Sequence, residues 1–237
     1  CNVGTALNYR EINEERRISC QISLKGNGIP WMMDPWNGRA EPVESFWQKG
    51  EYLMVPINIQ ENDTCLLAIL PQEAGIMKQK KRGGENCHRL SLAEWTFRLE
   101  KWLPGELPTE TRKLICDPVK LDRLEDWNRL PGFEGTSGVG TYQTTVDLQE
   151  NFGRAVLHLG KIRDSYSLKI NGQEIVSDPF CSEVDVSSYM RRGENTIEIQ
   201  VASTLLNAVI TYSRENKLCG VHKTPDVRQM NECGMMG

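Results

Sequence analysis

Short runs in which apolar and polar residues alternate, each cut off by Gly, Pro, Asn or Asp, recur along this chain and limit its fold more than any other feature. Alternation with a period of two places one set of side chains on each face of a strand, and many such runs between turn residues mark an all-β sandwich or barrel. Ile18 to Leu24 alternates cleanly and ends in Gly26-Asn27-Gly28. Tyr52 to Ile59 predicts another strand, whose Pro56 calls for an edge or a bulge because it lacks an N–H. Cys65 to Leu70 is a continuous apolar run suited to a buried strand. Further along, strands are expected from Trp95 to Leu99, Val139 to Leu148, Arg154 to Leu159, Ser165 to Ile170, Gln173 to Val176 and Thr196 to Val201. Tyr166, Leu168 and Ile170 should share one face. Asn171-Gly172 is a strong hairpin signal, since a type I′ turn needs positive φ at both central residues. Asp185 to Met190 reads as one helical turn capped by Ser187.

Between these strand-rich parts the character changes. Residues 73–93 hold Lys78-Gln79-Lys80-Lys81-Arg82-Gly83-Gly84, a polar, basic, glycine-ended stretch with linker composition. No aromatic residue interleaves these charges as a nucleic-acid platform requires. The expected organisation is a small β-sandwich over 1–72, a linker over 73–93 and a second sandwich over 94–237. A net charge of −4 argues against a nucleic-acid partner, and no apolar run reaches the ~20 residues of a membrane-spanning helix. Eight cysteines form no C-x-x-C pair. Cys20, Cys65 and Cys116 sit among strand-like residues, so buried reduced thiols and a cytoplasmic location are expected, against a single sequon at Asn62-Asp63-Thr64. The start at Cys1, without Met, reads as the middle of a longer chain.

The second part carries a resemblance. A strand ending in Leu159-Gly160, then Asp164, the strand to Ile170, Asn171-Gly172 and the return strand are followed in order by Asp178-Pro179-Phe180, Asp185-Val186, Gly193-Glu194-Asn195 and Asn207. With the entry segments Leu124-Glu125-Asp126-Trp127 and Gly135 to Tyr142, this order resembles the galactose-binding-like jelly roll of glycoside hydrolases, as in the sugar-binding domain of family 2. In the first part, Trp31-Met32-Met33-Asp34-Pro35-Trp36-Asn37-Gly38, then a strand and Asn62-Asp63-Thr64, resembles the small β domain of α-L-rhamnosidase-like enzymes. The resemblance implies the C-terminal β-sandwich region of such an enzyme, with its catalytic barrel N-terminal to Cys1. It also implies a structural Ca²⁺ as the only cofactor to look for, with no ligand set named. Residues 223–237 match nothing in the family, so a frayed C-terminal edge is expected.

No catalytic constellation stands out. Glycoside hydrolysis normally uses two carboxyl groups across the scissile bond, and 32 acidic residues give no pair preferred by sequence. Asp34 before Pro35 is explained by turn formation. His88, His158 and His222 fall in linker, strand and tail. Gly135 to Gly140 leads into a strand rather than the helix N-terminus that binds phosphate. For an oligosaccharide, which needs an aromatic platform and polar partners for its hydroxyls, the loop-end candidates are Trp127, Arg163, Asp164, Phe180 and Asn207; the alternative is that Trp127 packs under the sandwich, Phe180 plugs its end and Asn207 bonds a loop backbone. Trp31, Trp36 and Trp47 are expected in the core or at a domain interface. Two functions follow: a non-catalytic accessory region of a glycoside hydrolase docked on its catalytic domain, or a free-standing carbohydrate-binding module.

Overall fold

A computed structural model describes residues 3–6, 18–59, 64–71, 88–107, 109–150, 152–179, 181–215 and 230–236. The fold is all-β and of sandwich type, with compact units over 1–89 and 90–237. No helix among the described residues is long and apolar enough to cross a membrane. The basic stretch 78–84, the sequon Asn62-Asp63, His222 and Phe180 lie outside the described residues.

The first unit has two antiparallel sheets. Strands β1 (Val3–Ala6), β3 (Ile29–Met33), β4 (Ala40–Pro42) and β7 (Cys65–Leu70) form one, in the order β1-β7-β3-β4. Strands β2 (Ile18–Lys25), β5 (Trp47–Lys49) and β6 (Tyr52–Ile59) form the other, in the order β2-β6-β5. The expected alternation is visible as burial: Leu53, Val55, Ile57 and Ile59 point inward and pack with Leu24, Cys65 and Leu67. Pro56 lies in the middle strand of its sheet, yet β5 pairs with β6 only from Tyr52 to Met54. At Pro56 the strand therefore has an open side, where a missing N–H costs no ladder bond. Asp34 does form a turn: its carboxylate accepts from the amides of Trp36 at 2.9 Å and Asn37 at 3.4 Å.

The second unit is built on a large antiparallel sheet. Its members are β8 (Trp95–Pro104), β9 (Thr111–Ile115), β10 (Val119–Leu121), β11 (Gly138–Leu148), β14 (Ser165–Ile170), β15 (Gln173–Ile175) and β17 (Gly193–Ala202). The order is β10-β8-β11-β17-β14-β15, with β9 continuing the edge beside β10. Two short pairs accompany it: β12 (Val156–His158) with β16 (Glu183–Asp185), and β13 (Lys161–Arg163) with β18 (Gly234–Met236). Phe97, Leu99, Tyr142, Leu168, Ile170, Ile197, Ile199 and Val201 fill the inner face against Trp127, Val184, Val186 and Met235. Asn171 and Gly172 take φ of +52° and +80°, as their turn requires.

Three local expectations change. Residues 186–190 form a turn rather than a helix, and its cap is Asp185, whose carboxylate accepts from the Ser187 amide at 3.1 Å. A ten-residue helix, α1 (Leu206–Glu215), stands where no helix was expected. The segment 230–236 is not frayed: Cys233 and Met235 belong to the core.

Candidate functional site

Four of the five residues singled out for sugar contact surround one feature, the segment from Met230 to Met236. Asp126 caps a single 3-10 turn, Trp127–Arg129, through the Asn128 amide at 3.0 Å. The same carboxylate oxygen accepts from the Cys233 amide at 3.1 Å, and the Trp127 amide donates to the Cys233 carbonyl at 3.1 Å. The Trp127 indole N–H donates to the Tyr142 hydroxyl at 2.6 Å, which also accepts from the Met235 amide at 3.1 Å. Gly234 lies opposite Arg163 in the β13–β18 pair and has φ of +99°. A Cβ there would collide with the Trp127 indole nitrogen and the Tyr142 hydroxyl, so glycine is required both by conformation and by space.

Asn207 completes the arrangement from α1. Its Nδ2 donates to the Asn231 carbonyl at 2.7 Å, and its Oδ1 accepts from the Asn231 amide at 2.9 Å. Lys161 bonds Glu232 at 2.5 Å. That hydrogen bond holds the Glu232 carboxyl below the usual range against the opposing effect of burial, and the charges of Lys161, Arg163 and Arg129 add to it. Asp164 spends its carboxylate on the Thr204 amide at 2.7 Å, at the entry to α1. Burial, helped by the negative charges of Asp126 and Asp164, pushes the Cys233 thiol up to about 12. Burial also raises the Tyr142 phenol above its ordinary value.

This geometry takes two of the sugar candidates to their alternative, Trp127 packed in the core and Asn207 bonded to backbone. Trp127 and Asn207 are both 0% exposed, so neither an indole face nor an amide is open to a ligand. Arg163 and Asp164 are half-buried and placed beside the same segment. Trp127, Arg163, Asp164 and Asn207 thus lie about the protein's own chain, the segment 230–236. Cys233-Gly234-Met235 gave the only hint of it, a short apolar run without strand-like alternation.

Nor do Trp36 and Trp47 enter the core: they are 44% and 48% exposed, and Tyr52 is 45% exposed. Two shallow depressions also lie on the first unit. One is lined by Ser19, Cys20, Gln21, Pro56, Ile57 and Asn58, and the other by Lys25, Gly26, Asn27, Gln48, Gly50 and Glu51. Neither lining holds a carboxylate pair of the kind glycoside hydrolysis uses. Among the described residues, no group of three or more His, Cys, Asp or Glu is placed to hold a metal ion.

These features define an all-β protein of two sandwich-type units, the second holding an internal polar cluster about the segment 230–236. No family model matches the chain, and no curated protein matches it. Among solved structures it is similar to a rhamnosidase from Novosphingobium sp. PP1Y, with a TM-score of 0.67 and 21% identity. The match covers 93% of this chain and 21% of that one, so the chain spans about a fifth of the length of the rhamnosidase.

Proposed function

We propose that this chain is a non-catalytic accessory region of a glycoside hydrolase acting on plant or bacterial glycans, its second unit a galactose-binding-like jelly roll. The observation that carries the proposal is the likeness of nearly the whole chain to one part of a much longer rhamnosidase. The internal use of Trp127, Asp126 and Asn207 supports it, because these groups build a rigid body rather than a cleft. Its work would be to buttress a catalytic domain, the partner from which the reaction comes. The free thiols of Cys20, Cys116 and Cys233 support a reducing, cytoplasmic compartment. The exposed aromatic side chains of the first unit favour a second reading, a carbohydrate-binding module in its own right.

The test is hydrolysis of aryl-rhamnosides and aryl-galactosides by the purified chain. No turnover is expected. Turnover abolished by a single Asp or Glu substitution would make the chain an enzyme and end the accessory reading.

A further inference from the structure

We draw no further inference here: the strongest candidate, the outward surface patch of the β2-β6-β5 sheet where Trp47 pairs with Met54 beside exposed Tyr52, carries nothing because nothing among the described residues shows what covers it.

Discussion

The two units place most of their large aromatic residues in opposite ways. In the second, Trp95, Phe97, Trp127, Phe133, Tyr142 and Tyr166 are all buried, and the Phe97 ring packs on Trp127, Phe133 and Tyr142 with centroids 6.0, 5.6 and 4.7 Å away. In the first, the core is Leu24, Leu53, Val55, Ile57, Ile59, Cys65 and Leu67, while Trp36, Trp47 and Tyr52 face solvent. Core filling accounts for most aromatics of the second unit, where Tyr212 is exposed, and leaves Trp36, Trp47 and Tyr52 of the first to be explained by what they meet outside. A tryptophan is thus informative about function only after its burial is known. The same residue type is a keystone at 127 and a candidate contact at 47.

The contrast is sharpest in stability. Trp127→Ala empties a core position and removes one of the two donors to the Tyr142 hydroxyl, so a loss of about 3–5 kcal/mol is expected in urea unfolding. Trp47→Ala should stay within about 0.5 kcal/mol of the parent protein. A comparable loss at both positions would erase the distinction. Removing the clamp on the final segment comes next. Asn207→Ala strands the Asn231 amide and takes from the Asn231 carbonyl one donor, leaving it that of Asn128, and should cost about 1–3 kcal/mol by the same measurement. An unchanged midpoint would mean that the segment is held without it.

A further test, silent at neutral pH, concerns Cys233. Its folded-state thiol lies above the ordinary value of about 8.5, so its contribution to stability is complete below that pH and declines as pH rises toward about 12. Cys233→Ser should flatten this alkaline decline. In native protein at pH 8, a maleimide should label exposed Cys20 and spare Cys233, as peptide mapping by mass spectrometry would show. Equal labelling would place the thiol in solvent.

Much of the fold was legible because strands with one buried face declare themselves by alternation. Tyr52 to Ile59, Cys65 to Leu70 and Ser165 to Ile170 begin and end where the sequence places them. Helix α1 was hidden because its buried residues are Asn207 and Ile210, too few and too polar to form an apolar stripe. Strand β9 escaped because all five of its residues are exposed, leaving no alternation to read. At the candidate site, residue type was visible and direction was not. The sequence leaves Trp127 open between platform and core because a loop-end tryptophan and a core tryptophan are written alike, and the segment packed on it lies at Cys233 to Met235. Trp47 presents the converse case, since only its register opposite Met54 shows which way it points.

The closing role of the 230–236 segment also bears on synthesis. The Cys233 amide meets a carboxylate 107 positions earlier, and the Met235 amide meets a hydroxyl 93 positions earlier. As the chain leaves the ribosome, β8, β11, β14 and β17 emerge well before that segment does. Trp127 and Tyr142 then wait without a lid while a long loop remains to be closed, the step that topology makes slow. The first unit, whose pairings lie within its own 89 residues, can finish while the second is still open. Nascent chains halted just short of Met230 should therefore be the ones a chaperone recognises.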